Sequence, residues 1–504
     1  MMVALAIALV VLPLAPALAS SLTARARPLG FTAAGSSLAT LAVAIVLAVR
    51  LASGHRTSAL SGFIYLDSLS GFFVLTIAIV VALASLGSGA YLRAEEQRGE
   101  LSPLQVRLYF IFFALFASLM LGSFETGNLG LLWVLIEAST LASCVLVGLE
   151  AKAVSLEAAW KYIIISSFGV TIALVGTLFL YYAASAIAGS PTEHLTWSYL
   201  YGHAGALHHD TLRLAFLLVL VGYGTKVGLA PMHTWLPDAH SEAPSPASAM
   251  LSAALLNTGM YAIIRFLAVT NRGLGSGFAS DALLVLGFLS ITIGALFLVL
   301  RVNFKRMFAY SSVEHMGIIA VALGFGGTLG LYGALLHTLS HAIGKAVLFL
   351  TSGDLVLRYR TRLVAEVRGV FGAMPLTGAV LLLAALAVTG SPPFGLFLSE
   401  LTIVRAGFAA SSPALVGLLL LLLVIAFVAL MRACAGMALG PPSQDAGELA
   451  GDGADGIALP YRERSSRLLA AAPLILGLGA LLLLGLWIPA GLNTLITHSI
   501  GVIS

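Results

Sequence analysis

The chain has 504 residues, 59% of them apolar and 10% charged, with a mean hydropathy of +1.02. That composition excludes a soluble globular domain and places the chain among polytopic membrane proteins. A net charge of +4 spread over short loops excludes a nucleic-acid-binding role. Cys144 and Cys434 lie far apart in apolar runs, with no CxxC and no His/Cys cluster, so an iron–sulfur or zinc site on this chain is not expected. Glycine clusters such as Gly324-Phe-Gly326-Gly327 do not follow a strand, which excludes a dinucleotide fingerprint.

In chain order, apolar length predicts about fourteen helical spans. They lie near 2–19, 30–50, 66–92, 107–123, 129–149, 158–184, 212–240, 245–268, 282–300, 308–325, 329–357, 373–410, 414–435 and 467–489. The first span ends in Ala17-Leu18-Ala19, which resembles a cleavage site, but no basic stretch precedes it and a retained helix is expected. The 186–211 segment, with His203, His208 and His209, is expected to be a flexible outer loop without a metal. The Gly-, Asp- and Pro-rich 436–466 stretch is expected to be a solvated cytoplasmic linker.

Loops after odd-numbered spans hold eighteen of the 26 lysines and arginines and loops after even-numbered spans hold six. This asymmetry predicts that both termini face away from the cytoplasm. The two remaining cations, Lys226 and Lys345, fall inside spans.

Two spans are expected to be broken. The seventh carries Lys226 and then Gly228 and Pro231; the twelfth carries Pro392, Pro393 and Gly395 and then Glu400. Proline removes a ladder hydrogen bond, and such breaks are tolerated at membrane depth where they are buried or line a wet cavity. The broken spans stand five apart, which predicts two inverted five-helix repeats, residues 107–268 and 282–435. Residues 1–106 hold the first three helices and 467–504 the last.

A charge at mid-bilayer costs about 2.5–3.5 kcal/mol, so each one needs a reason. Glu137, in the middle of the fifth span, is a partner candidate for Lys226, and a lysine that gains and loses a carboxylate neighbour can gate a proton. His337, His341 and Lys345 recur every four residues and share one helical face. That face has no third metal donor and Lys345 would repel a cation, so a proton relay is the better reading. Of the adjacent Glu314 and His315, which point to different faces, His315 is the candidate relay; Glu400 completes the row. Asp238 and Glu242 are expected to be helix-end residues. No nucleophile–base pair and no substrate-sized polar cluster is visible.

The stretch Lys226-Val-Gly-Leu-Ala-Pro-Met-His-Thr-Trp-Leu-Pro-Asp-Ala-His240, followed by Ser241-Glu242-Ala243-Pro244, resembles the signature of the antiporter-like membrane subunits of respiratory complex I, the Mrp antiporters and the membrane-bound nickel–iron hydrogenases. The resemblance covers roughly residues 65–436 and extends to Lys305-Arg306-Met-Phe-Ala-Tyr-Ser-Ser-Val-Glu314-His315-Met-Gly317 and to His337–Lys345. The Ser-Val-Glu-His-Met-Gly form is most similar to the hydrogenase-4 component F branch. The resemblance implies a subunit without a redox centre that moves protons in the inner membrane, driven by nickel–iron and iron–sulfur centres in a partner arm, beside other membrane subunits. It implies a modulating pair, Glu137 and Lys226, a central relay at His341 and Lys345, and a terminal residue, Glu400. One position departs from the pattern: Asn257 stands where many relatives carry a lysine, and an amide cannot hold a transferable charge. The alternatives left open are a cation/proton antiporter subunit, the membrane half of an inorganic-carbon uptake system, and a membrane anchor that no longer pumps.

Overall fold

The computed structural model describes residues 1–300, 302–441 and 464–503. Within them the chain is a bundle of helices with one small hairpin, β1 (Thr57–Ala59) against β2 (Ile64–Leu66). The helices are α1 (Met2–Ala19), α2 (Ala26–Ala52), α3 (Ser68–Gln97), α4 (Pro103–Ser123), α5 (Leu129–Val147) and α6 (Ala153–Ser185). Next come α7 (His209–Val227), α8 (Leu236–Glu242), α9 (Ser245–Leu274), α10 (Gly277–Val299), α11 (Phe304–Phe325) and α12 (Gly327–Tyr359). The last are α13 (Pro375–Val388), α14 (Gly395–Ala409), α15 (Pro413–Leu439), α16 (Arg464–Leu486) and α17 (Ala490–Ile503).

Among the described residues eleven helices are long and apolar enough to cross a membrane, or twelve if the C-terminal pair, bent by 72°, is one span. The expected fourteen is reached only by also counting the broken segments α7–α8 and α13–α14 as crossings. The expected linker at 436–466 begins inside α15, and its residues 442–463 lie outside the described residues. The 186–211 segment is not a plain loop: it carries a short helix, Trp197–Gly202, and a bridge from Thr196 to Asn128.

Helix starts are set by side chains that cap free amides. Asp67 accepts from the Ser70 amide (2.9 Å), Asn128 from Leu131 (2.9 Å), and Asn303 from Lys305 (2.9 Å) and Arg306 (3.2 Å). Small residues let helices approach closely, since lipid gives no hydrophobic drive for helix pairing. A Cβ on Gly222 of α7 would stand 2.4 Å from the Ala173 amide nitrogen of α6, and one on Gly169 of α6 would stand 2.4 Å from Thr225 Cβ.

Three helices form the centre. The apolar windows of α9 and α12 are 100% buried inside the protein and that of α11 is 94% buried, against 22% for α1 and 33% for α2 and α15. The enclosed helices carry most of the polar residues discussed below.

Two cations assigned above to loops are inside. Arg265 lies within α9, 2% exposed, and grips Asp67 through two 2.7 Å hydrogen bonds, with a third to Ser70 Oγ at 3.0 Å. Its guanidinium stacks 4.5 Å over Trp197, whose Nε1 donates to the Arg265 carbonyl. Lys305 begins α11 and is also 2% exposed. Lys226 and Lys345 are therefore not the only cations inside spans.

Candidate functional site

The first centre forms where α7 ends. Gly228 adopts φ +79°, a left-handed value that favours glycine, and terminates α7 two residues past Lys226. The chain then runs through Pro231 to Trp235, whose Nε1 donates to the Thr225 carbonyl (2.8 Å) and closes the break. Lys226 is fully buried. Its ammonium donates to Thr140 Oγ1 (2.6 Å), Tyr162 Oη (3.0 Å) and Ser166 Oγ (3.5 Å), and it lies 5.1 Å from the Tyr162 ring centre.

Glu137 does not close a salt bridge with it. Its Oε1 accepts from Ser167 Oγ at 2.5 Å, while Oε2 has no partner among the described residues. Lys226 holds Thr140, one turn beyond Glu137 on α5, and Ser166, the neighbour of Ser167 on α6. The two charges thus share a hydroxyl-lined space with the pair parted.

Asn257 follows a π-helical turn, Leu251–Leu255, inside α9. Such turns re-aim side chains and are frequent at functional sites. Its amide donates to the Ala253 carbonyl (2.8 Å) and its Oδ1 has no partner among the described residues. Two residues on, Gly259 packs against Lys226, so α9 passes directly behind the first centre.

The second centre lies between α11, α12 and α14. His315 Nδ1 is 2.9 Å from His337 Nε2, and His337 Nδ1 is 2.9 Å from Ser399 Oγ. The His315 ring is 5.1 Å from those of both His337 and His341. Neither His341 ring nitrogen has a hydrogen-bond partner among the described residues. Lys345 donates to the Phe308 carbonyl (3.1 Å). Glu400 stands one residue past Ser399 on α14, beyond the break from Thr389 to Phe394, and is partly buried. Pro392, Pro393 and Gly395 occupy that break and the start of α14.

The fold does not complete the His337–His341 pair but brings a different three donors together: potential ligand atoms of His315, His337 and Glu400 all lie within 4.8 Å of one another. The histidines nevertheless face each other as a hydrogen-bonded pair. Two nitrogens on one tetrahedral zinc stand about 3.3 Å apart and aim at the ion, because zinc–nitrogen bonds are about 2.0–2.1 Å. A 2.9 Å contact between the rings fits a shared proton better.

Two further residues belong to the site: Glu314, which the sequence ranked behind His315, and His240, to which it gave no role. Glu314 is buried against Gly294 of α10 and lies within Coulombic reach of both Lys345 and Glu400. His240 is fully buried with both ring nitrogens unpartnered among the described residues; it stands in the quoted signature. Asp238 and Glu242 are at helix ends, and each is paired: Asp238 with Lys161 (3.3 Å) and Arg306 (2.6 Å), Glu242 with Arg362 (2.5 Å).

Residues 126–426 match the family described as NADH:quinone oxidoreductase/Mrp antiporter, transmembrane. The chain is 37% identical over 386 residues to the hydrogenase-4 component F homolog of Methylacidiphilum infernorum (isolate V4), spanning 76% of this chain and 80% of that one. It is 30% identical over 403 residues to NADH-quinone oxidoreductase subunit N of Desulforudis audaxviator (strain MP104C), 77% of each. A chain of the Mrp complex from Dietzia sp. DQ12-45-1b superposes with a TM-score of 0.82 at 21% identity, over 99% of this chain and 96% of that one. A chain of respiratory complex I from Thermus thermophilus with bound NADH gives 0.77 at 24%, over 98% and 100%. These structures share the fold.

Proposed function

Because the chain belongs to the NADH:quinone oxidoreductase/Mrp antiporter transmembrane family, we propose that it is the proton-moving membrane subunit of a hydrogenase-4-type assembly. Redox energy released at nickel–iron and iron–sulfur centres on partner chains would drive it. The observation that carries this reading is a row of buried and partly buried ionisable side chains, most of them beside a helix break or on an enclosed helix: Glu137 and Lys226, then Lys345, His341, His337 and His315, then Glu400. Buried charges of this kind are expensive and mark ion paths. In this reading Lys226 gains its charge when Glu137 approaches and loses it when they part, and the histidines pass the proton on toward Glu400. The two broken helices belong to two inverted repeats, and the bundle sits in the inner membrane with both termini on the non-cytoplasmic side. With Arg265 and Lys305 removed from the loop counts, the cationic bias still favours that orientation.

The test is a mild-detergent pull-down of the chain with partners identified by mass spectrometry. A nickel–iron hydrogenase arm is expected. Recovery of small membrane subunits with no redox protein would instead favour the cation/proton antiporter reading.

Asn257 favours a second reading, an anchor that no longer pumps, because its amide cannot carry a proton between the two centres. Asn257→Lys separates the two. On the path, the lysine keeps or raises coupling and changes the pH profile of proton flux. An unchanged rate and pH profile would place Asn257 off the path.

A further inference from the structure

At the end of the bundle that carries Arg98, Lys152 and Arg362, a cavity of about 400 Å³ opens among Tyr91, Glu95, Glu150, Lys152 and Arg362. An ion chain leads inward from it. Glu150 lies 2.9 Å from Lys152 and 3.9 Å from Arg362, and Arg362 lies 2.5 Å from Glu242. One residue further, the Ala243 carbonyl accepts a 2.6 Å hydrogen bond from Lys305 Nζ. Among the described residues no carboxylate is within salt-bridge distance of this buried ammonium.

His240 lies on the inner side. Ser248 Oγ ties its carbonyl (2.8 Å) to the same Ala243 carbonyl (3.0 Å) that Lys305 holds. The His240 ring sits 6.0 Å from Trp235 and 5.8 Å from Phe349, with both nitrogens unpartnered among the described residues. A buried imidazole with at least one unmet nitrogen needs a reason, because an unmet polar group costs about 1–3 kcal/mol. Phe308, three residues past Lys305 on α11, offers its carbonyl to Lys345 and its ring to Phe349. The Phe308–Phe349 pair therefore links the His240 ring to the carbonyl that Lys345 holds, and Lys305 stands one turn before Phe308 on the same helix.

We propose that Lys305 and His240 form a proton inlet to Lys345 from the Glu150–Arg362 cavity, entered past the Arg362–Glu242 pair that lies behind its lining. The inlet rests on the proton row described above and gives its second centre a supply independent of Lys226. A hydrated proton entering from the cavity is passed through water to the neutral Lys305 amine, so one N–H bond forms as one O–H bond of the hydronium breaks and neutral water remains. The ammonium passes a proton, through a bridging water, to one ring nitrogen of His240. The other ring nitrogen releases a proton to Lys345. One positive charge moves inward and nothing is oxidised or reduced.

The rival role for Lys305 is a structural one, holding the Ala243 carbonyl. Lys305→Gln separates them: it keeps a donor for that carbonyl but carries no proton. In vesicles containing the whole assembly, driven by its own redox reaction and read by a pH-sensitive dye, Lys305→Gln and His240→Gln should each cut proton flux about tenfold or more at unchanged assembled yield. Lys305→Arg, which cannot release its proton, should fall as well. Full flux in Lys305→Gln would overturn the inlet. Glu400→Gln, run alongside, distinguishes the two failures. If Glu400→Gln loses flux while Lys305→Gln keeps it, only the inlet is wrong; if both keep it, the row itself is wrong. The unmodified protein offers a check that does not depend on variant folding. A high-resolution map should show a water within about 3 Å of a His240 ring nitrogen on the side facing Lys305, and a dry apolar contact there would overturn the inlet.

Discussion

Among single side chains in this protein, some buried polar groups have complete hydrogen bonding and others do not. Arg265 is of the first kind: its guanidinium is met by Asp67, Ser70 and the Trp197 ring. Removing one partner of a buried ion pair leaves the other uncompensated, so Arg265→Ala should cost about 3–5 kcal/mol and lower the detergent melting temperature sharply. His341, His240 and one oxygen each of Glu137 and Asn257 are of the second kind. Glu125, in the α4–α5 connection, shows the same incompleteness outside the spans. It is 6% exposed, its Oε1 is unpartnered among the described residues, and burial holds its carboxyl well above the ordinary 4.5. A carboxyl raised on folding contributes stability fully below its unfolded pKa, and that contribution is lost as pH rises through the folded value. Melting temperature should therefore fall as pH rises above 4.5, and Glu125→Gln, which mimics the protonated form, should reduce the fall.

Pairs of helices are set by contacts that leave no room. The α6–α7 seam depends on Gly169 and Gly222, and it holds Ser166 and Tyr162 against Lys226. Gly222→Ala should cost about 1–3 kcal/mol by overpacking and lower the melting temperature, while Gly202→Ala, with nothing within 4 Å of the added carbon, should change little. At this scale the sequence was informative where chemistry repeats. The helix break after Lys226 is written in Gly228 and Pro231, and the one before Glu400 in Pro392 and Pro393. The shared face of His337, His341 and Lys345 follows from helical spacing alone. What could not be read was contact between distant segments. His315 meets His337 across 22 residues and Glu400 joins them from α14, so the three-donor cluster has no local signature. Arg265 and Lys305 read as loop cations because each lies within a few residues of an expected span end, at 268 and 308, while the helices themselves run further, to Leu274 and from Phe304; their burial depends on Asp67 and on the Ala243 turn. The parted state of Glu137 and Lys226 is likewise a matter of Thr140, Ser166 and Ser167 hydroxyls that no periodicity reveals.

Across the whole molecule, charge runs through the middle of a bundle whose outer helices face lipid. The central helices α9, α11 and α12 are almost wholly enclosed, and they connect a broken helix bearing Lys226 to a second one bearing Glu400. An enclosed row of titratable groups bounded by two breaks is what a proton path requires and what a passive scaffold does not. The most direct test is proton translocation by the assembled complex in sealed vesicles, unmodified and with Lys226→Ala. The account predicts that the variant retains its redox arm and electron transfer while coupled proton movement is abolished. Full pumping by an intact Lys226→Ala complex would contradict it.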